Sequence, residues 1–404
     1  MSWESRSKMK ILVICQHYWP EPYPLTSICE LLADRGHEVR VITDVPNYPM
    51  GYIYDEYKQG KNRNQTRNGV MINRTFTIGR RKNIVFRMLN YFSYAISSTR
   101  YVRKLKDEYD VVFTNQSSPI MMVNAAMVYA KKHKKKAVLY CMDLWPASLA
   151  AGGVEEGSLI YKFFEFISRK LYRKADRILI TSKMFRSYLE EKFDISDDVI
   201  DYLPQYADAR FRVMQEVVKK DTVDLVFAGN VGTAQSIDTI IRAAQVLKDE
   251  KCLVWHIVGD GSELDNLKNL ATELKVQNVR FHGRKPIEEM PKYYGMADAM
   301  LVCLTADPFI SLTLPNKVQT YMAAGKPIIA AANGEISNVI HESDCGFCAE
   351  AEDAEGLARA VREFLHTKDK KELGRNARIY YEKHFTQEMF LEKLETELEK
   401  HCTK

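Results

Sequence analysis

No apolar run in the 404 residues approaches the roughly eighteen needed to cross a bilayer, so transmembrane helices are excluded. A secretory signal is also missing. The polar start MSWESRSK leads into a short apolar stretch over 10–15 that reads as a first strand, and Met9 is a candidate natural start behind an extension. Cysteine is sparse and scattered, with eight in all and several, such as Cys15, Cys141 and Cys303, inside apolar runs. Such thiols act as small buried hydrophobes in a reducing compartment, so the chain reads as cytoplasmic. Only Cys345 and Cys348 have a redox or half-zinc spacing. No second pair or histidine cluster completes four ligands, so no metal is expected. There is no short-period repeat and no nucleic-acid module, which argues against solenoids, propellers and nucleic-acid partners.

What is present is ordinary globular composition, 46% hydrophobic and 27% charged, in a chain long enough for two α/β domains. The net charge of +5 is mild, but its distribution is uneven. Cations crowd at Arg80, Arg81 and Lys82, at Arg100, Arg103, Lys104 and Lys106, and from Lys131 to Lys136. Such a face suits anionic lipid, a polyphosphate substrate or plain solvent. Two segments have amphipathic character. The helix expected over 84–106 begins with Ile84, Val85 and Phe86 between basic clusters. The second carries Leu159, Phe163, Ile167 and Leu171 at spacings of four, with Phe164 and Phe166 beside them and Arg169, Lys170, Arg173 and Lys174 following. Each either lies in a membrane interface or packs on a sheet, and 84–106 is the one expected at a bilayer.

Apolar strand-like runs alternate with helical patterns along the whole length, which predicts two doubly wound, Rossmann-like α/β domains. Strands are expected over 10–15, 38–43, 70–76, 110–114, 137–142 and 177–181, then over 224–228, 253–258, 279–281, 299–304 and 327–331. The pattern breaks near Tyr202, so a hinge is expected between 204 and 222, with an interdomain cleft where ligands of such sheets bind.

The sharpest chemical signal is the run from Leu314 to Pro327, LPNKVQTYMAAGKP. Pro315 and Asn316 sit where a helix begins, with unpaired amides and the positive dipole end. Lys317 adds a full cation in the first turn, which the dipole disfavours. A bound diphosphate resolves that inconsistency; a surface lysine is the bland alternative. After an expected strand, Gly229, Asn230, Gly232 and Gln235 form a glycine turn able to offer amides to phosphate. Gly259 and Gly261 repeat the setting, either lining the cleft or only making the turn.

The residues converge on a family. The start KILVICQHYWPEP, DLWP at 143–146, the GNVGTAQ loop, VGDG, Phe281-His282-Gly283-Arg284, the Ala297-Asp298 strand entry and PNKVQTYMAAGKP occur in order through most of the chain. Together they resemble bacterial glycosyltransferase family 4, of GT-B fold, especially its lipopolysaccharide, capsule and exopolysaccharide subgroup. The resemblance implies an acceptor-binding domain over 1–205, a nucleotide-sugar-binding domain over 206–385, and a helix over 386–404 crossing back to the first. It implies retaining transfer from a nucleoside-diphosphate sugar, UDP-linked by expectation, without cofactor or obligatory metal. The acceptor would be a cell-envelope saccharide, free or polyprenyl-diphosphate-linked, reached at the cytoplasmic face of the membrane. Carried over by position, Gly229, Asn230, Gly232, Gln235, Asn316 and Lys317 hold the diphosphate. Arg284, Gly259, Gln319 and Thr320 lie by the nucleoside. Asp143 is the catalytic polar residue touching the transferred sugar, or a structural aspartate capping the next turn. Glu21, Tyr23 and Trp145 lie on the acceptor and sugar side, with Trp145 either walling a sugar or filling the core.

The chain departs from the family at telling places. Leu312 and Thr320 stand where two glutamates are usual, Asn230 and Gln235 where an arginine and a lysine are usual, and Glu21-Pro22-Tyr23-Pro24 replaces a glycine pair. These changes keep a second expectation open, a catalytically silent GT-B subunit that binds and stabilises an active transferase. A nucleotide-sugar epimerase on the same scaffold is a third, needing an acid–base set that the sequence does not display.

Overall fold

The apolar runs become parallel strands in the computed structural model, which describes residues 7–81, 83–212 and 221–403. Residues 1–6 of the polar start, Lys82 of the basic cluster and 213–220 of the expected hinge lie outside the described residues. The chain divides into two compact units. The first comprises Met1–Thr181, Phe185–Leu203 and Leu391–Lys404; the second comprises Ser182–Met184 and Pro204–Phe390.

The first unit runs β1 (Lys10–Ile14), α1 (Leu25–Asp34), β2 (Glu38–Thr43), β3 (Asn64–Arg67), β4 (Val70–Arg74), α2 (Ile84–Lys104), β5 (Val111–Gln116), α3 (Asn124–His133), β6 (Ala137–Cys141), α4 (Ala147–Ala151), α5 (Leu159–Tyr172), β7 (Arg177–Ile180), α6 (Phe185–Phe193) and β8 (Ile200–Tyr202). Its sheet has the order β3-β4-β2-β1-β5-β6-β7-β8. Every pairing is parallel except β3 with β4. Helices cover both faces of the sheet's middle, so β1 and β6 read as unbroken apolar runs rather than alternating ones. The β3–β4 hairpin closes through Asn68 and Gly69, both at positive φ, as a two-residue turn requires. Side-chain caps start two helices: Asn83 accepts from the Val85 amide at 2.7 Å, and Ser158 from Tyr161 at 3.2 Å.

The second unit runs β9 (Val223–Ala228), α7 (Asp238–Val246), β10 (Leu253–Val258), α8 (Leu264–Glu273), β11 (Val279–Gly283), α9 (Met290–Met296), β12 (Ala299–Cys303), α10 (Asn316–Ala323), β13 (Ile328–Ala331), α11 (Glu335–Ser343), β14 (Gly346–Ala349), α12 (Ala354–His366) and α13 (Lys370–His384), followed by α14 (Gln387–Lys400). Its sheet is all parallel in the order β11-β10-β9-β12-β13-β14. Alternate residues feed two cores: Val226 and Ala228 pack on one face of β9, Leu225 and Phe227 on the other. Each full burial of such a side chain contributes about 1.5–3 kcal/mol, and this two-sided demand defines the doubly wound plan. Cys345 and Cys348 flank and enter β14 as free thiols.

From Leu391 onward α14 belongs to the first unit, and its acidic side chains explain why. Glu395, almost fully buried, meets Arg35 at 2.7 Å and His37 at 3.2 Å, and Glu397 meets Arg177 at 2.7 Å. Buried carboxylates are tolerable because each is answered by a donor.

One expectation needs correction. The buried face of α5 is Tyr161, Phe164, Ser168, Leu171 and Tyr172, not the stripe through Leu159, Phe163 and Ile167. The helix has apolar residues on two faces, and spacing alone selected the outer one.

Candidate functional site

Beyond the carboxyl ends of β9, β10 and β11, and beside the start of α10, the second unit holds a pocket of about 490 Å³. The strand order reverses at β9, with β10 on one side and β12 on the other, the position where open α/β sheets bind ligands. Seven residues expected at a donor site line this pocket together: Gly229, Asn230, Gly259, Arg284, Asn316, Lys317 and Thr320. Gly232, Gln235 and Gln319 are not among its walls.

Lys317 dominates the electrostatics. Its Nζ is buried, has no hydrogen-bond partner among the described residues, and sits 4.2 Å above the Phe227 ring. Burial pushes the ammonium down to about 8, with the Cys303 thiol opposing slightly. A cation–π contact offsets part of the desolvation but supplies no counter-charge. A Cβ on Gly229 would stand 3.0 Å from that Nζ, and φ there is +150°, so glycine is required beside the lysine. Tyr321 fixes the two elements against each other: its hydroxyl donates to Ala228 O at 2.9 Å and accepts from the Ala228 amide at 3.1 Å.

The glycine turn is used differently from the expectation. Its amides at Gly229 and Val231 donate to Val258 O (2.9 Å) and Asp260 O (3.0 Å), and that of Gly232 donates to Gln235 Oε1 (3.2 Å). Gln235 Oε1 also accepts from Asn230 Nδ2 at 3.0 Å. The Gly229 and Val231 amides therefore lock the turn onto the end of β10 and the loop after it, while Gln235 braces it from within through the Gly232 amide and Asn230. A Cβ on Gly259 would lie 1.8 Å from Gly229 O, so the two loops touch backbone to backbone. At α10, Asn316 Nδ2 donates to Tyr206 O at 2.9 Å, and the Thr320 hydroxyl donates to Asn316 O at 2.9 Å. With its nitrogen turned inward, the fully buried Gln319 amide donates to Pro315 O at 2.8 Å and Asn316 O at 3.2 Å. That side chain stiffens the helix start and faces away from the pocket. Arg284 sits at the rim, 81% exposed and 4.0 Å from Asp260.

In the first unit the remaining candidates lie beyond the carboxyl ends of β1 and β6. Glu21 is buried, and both its oxygens are engaged: Oε1 accepts the amides of Asn47 and Tyr48, each at 2.6 Å, and Oε2 bonds His17 Nδ1 at 2.7 Å. Tyr23 stacks on His17 with ring centroids 4.8 Å apart. With Asp44, His17 and Glu21 form a buried cluster whose ligand-type atoms lie within 4.8 Å of one another. Burial and then the Glu21 charge hold the Asp44 carboxyl well above the usual range. Asp143 follows β6 and accepts from the Ser148 hydroxyl, and burial raises its carboxyl to about 6. Trp145 is 1% exposed, edge-on to Phe164 at 5.3 Å, and donates from Nε1 to Ser118 at 2.7 Å. It fills the core, the second of the two roles expected for it.

Residues 25–210 match the family described as Glycosyltransferase Family 4, and residues 210–380 that described as Glycosyl transferases group 1. The chain is a GT-B-fold glycosyltransferase. It is similar to a Pseudomonas aeruginosa protein named as the glycosyltransferase WbjE, 29% identical over 70% of this chain and 73% of the other. WcaI of Escherichia coli strain K12, named for colanic acid biosynthesis, is 26% identical over 88% of this chain and 92% of its own. Among solved structures, Anabaena HepE in complex with UDP superposes with a TM-score of 0.73, covering 97% of this chain and 100% of HepE at 14% identity. At that identity the likeness concerns the fold.

Sequence reading missed several walls of the glycosyltransferase's pocket: Phe211, Lys285, Ile287, Met290 and Tyr294. Lys285 beside Arg284 was visible as a basic pair. Tyr294 was not, because an aromatic on a short helix signals core as readily as ligand. It does pack into the core, edge-on to Tyr321 at 5.5 Å, while showing an edge to the pocket.

Proposed function

We propose that the glycosyltransferase takes a nucleoside-diphosphate sugar, UDP-linked, into the pocket of its second unit and transfers the sugar with retention to a cell-envelope saccharide carried on a lipid. The single observation that carries the donor assignment is the buried ammonium of Lys317, unpartnered among the described residues. An isolated buried cation is costly, and a diphosphate is the ligand that removes the cost. Lys317 and the α10 amides are then aimed at the charge that grows as the sugar leaves, as preorganised electrostatics requires. The acceptor hydroxyl attacks on the leaving-group side through an oxocarbenium-like state, and the departing phosphate takes its proton, so no separate base and no metal is invoked. Asp143, raised to about 6, touches the transferred sugar. The acceptor side belongs to the first unit, domain 1–205, with the donor side in 206–385. The naming of WcaI for colanic acid biosynthesis supports a polysaccharide product.

The test is a screen of nucleotide-sugars for release of nucleoside diphosphate, with and without lipid-linked acceptor, with the anomeric configuration of the product read by NMR. Release abolished by Lys317→Ala and Asp143→Ala supports the enzyme; an inverted product sinks retention. A second reading, the silent subunit, is favoured by one observation. Thr320, at one usual glutamate position, turns its hydroxyl onto Asn316 O, and Leu312 stands at the other. Tight nucleotide binding with no turnover under any acceptor is its signature.

A further inference from the structure

At the end of the second unit's sheet opposite the donor pocket, the turns that enter β12 and β13 and one face of α13 border a groove of about 530 Å³. Ala297 and Asp298 lead into β12, and Gly325, Lys326 and Pro327 lead into β13, so the groove lies at the amino ends of parallel strands. Helix α13 comes backbone to backbone against the second of these turns: a Cβ on Gly374 would stand 2.4 Å from Gly325 O. Lys371, Gly374 and Arg378 share one helix face. A bare stretch of main chain therefore lines the groove between two cationic side chains.

Five cations line this groove, Lys326, Lys370, Lys371, Arg375 and Arg378, against a single carboxylate, Asp298. That carboxylate is already engaged, accepting the Asp224 amide at 2.8 Å. Lys326 directs its ammonium to the carbonyls of Gly295 (3.1 Å) and Ala297 (2.7 Å), and Lys370 to those of Leu365 (2.9 Å) and Thr367 (3.0 Å). Arg378 gives one nitrogen to Arg212 O at 2.7 Å. Carbonyl dipoles orient these cations without neutralising them. Among the described residues only Arg375 of the five makes an ion pair, with Asp369 at 2.9 Å, and both partners are more than half exposed, where such pairs hold weakly. Lys371 and Arg375, one turn apart on the helix, repel each other. The groove thus carries positive charge that its own walls do not answer.

We infer that this groove binds the polyphosphate group of a soluble small molecule. Charge density and shape select that ligand. The guanidinium groups of Arg375 and Arg378 match phosphate oxygens as forks, and Lys371 supplies a point charge beside them. The volume suits a molecule of nucleotide size. Ile379, 61% exposed, follows Arg378 along the wall and gives a base or another apolar group a surface to lie on. The groove shares no wall with the donor pocket, so its occupant is a second ligand and does not depend on the donor assignment.

The experiment titrates the full chain with inorganic tripolyphosphate in a calorimeter at constant ionic strength, with saturating UDP present to fill the donor pocket. One site per chain is expected, and it persists in Lys317→Met. With about fivefold from each charged contact, Lys371→Ala/Arg375→Ala weakens tripolyphosphate binding about 25-fold and leaves UDP affinity unchanged. Both side chains are exposed, so the variant keeps its fold, which a thermal melt checks. A parallel titration with ATP separates two sources of the same group: equal affinity supports a site for phosphates alone, and tighter binding supports one that also takes the base on Ile379. No binding in the presence of UDP, loss of binding in Lys317→Met, or unaltered affinity in the double variant overturns the proposal. So does preferential binding of poly-glutamate, which would assign the groove to an acidic protein partner. Absence of UDP binding while tripolyphosphate still binds in Lys317→Met strikes the donor reading instead and leaves this one standing.

Discussion

Glu21 and Lys317 are both charged residues buried beyond the carboxyl ends of parallel strands, and the sequence offered both as ligand contacts. Their surroundings separate them. Every oxygen of Glu21 is engaged, by two backbone amides and a histidine, and the result is a tie between the loop after β1 and the one after β2. Lys317 has an aromatic face beneath it and no hydrogen-bond partner among the described residues. A buried charge that is answered from within the protein is architecture; one left unanswered awaits a ligand.

Removing Lys317 gives the sharpest way to break this contrast. Lys317→Met should lower donor-dependent turnover about 1,000-fold, the roughly 4 kcal/mol typical of a preorganised charge contact, while raising thermal stability. The ammonium lies near 8 in the folded state against 10.5 free, so unfolding takes up a proton between those values and wild-type stability rises with pH across that window. Below pH 8 the folded protein carries the whole cost, about 2 kcal/mol after allowing for the Phe227 contact. A scan at pH 7 in which the variant melts earlier than wild type would make Lys317 a structural residue.

Glu21→Ala is the reverse case. Two amides and His17 lose their acceptor, which should cost about 3 kcal/mol of stability. Donor affinity, read by calorimetry on the folded fraction, should stay within twofold. A donor-affinity loss without a stability loss would move Glu21 to the ligand side of the comparison.

Asp143 lies between these extremes, with one hydroxyl donor and a desolvated carboxyl. Its folded value near 6 exceeds the free value of 3.8, so the folded state binds the extra proton between them and stability falls as pH rises through that window. Asp143→Asn should therefore be more stable than wild type at pH 7 by about 2 kcal/mol, with the difference gone below about pH 4. Turnover should still drop. Paired denaturant titrations at the two pH values check the sign.

How much of this was readable follows from the range of each contact. The alternation of apolar runs with helices gave both sheets because periodicity is local. The Lys317 anomaly was readable because a cation in the first turn of a helix is a local conflict. Three edge strands, β3, β8 and β14, were missed: β8 and β14 are only three and four residues long, and the Asn-Gln-Thr-Arg sequence of β3 is polar, although Asn68-Gly69 was the sign of a tight hairpin. The locking of the glycine turn was hidden, because its partners at Val258 and Asp260 come from the next strand's end and only register reveals them. Docking of α14 was equally hidden, since Glu395 finds Arg35 across 360 positions of sequence. On α5, two apolar faces competed and burial alone decided between them.

The smallest expected effect tests the same contrast from its weak side. Arg284 lines the pocket that holds Lys317 and carries the same formal charge, but it is 81% exposed and only 4.0 Å from Asp260. Water and salt screen such a group, and exposed pairs of this kind contribute about 0–1 kcal/mol. Arg284→Ala should raise the donor KM about three- to fivefold, leave kcat unchanged, and lose most of that effect at 0.5 M salt, where the screening length drops to about 4 Å. Asp260→Asn, which frees the guanidinium for the donor, should shift KM the other way by a similar factor. If instead Arg284→Ala rivals Lys317→Met in its loss of turnover and resists salt, then burial is not what gives a pocket cation its weight, and the argument from the unanswered lysine loses its basis.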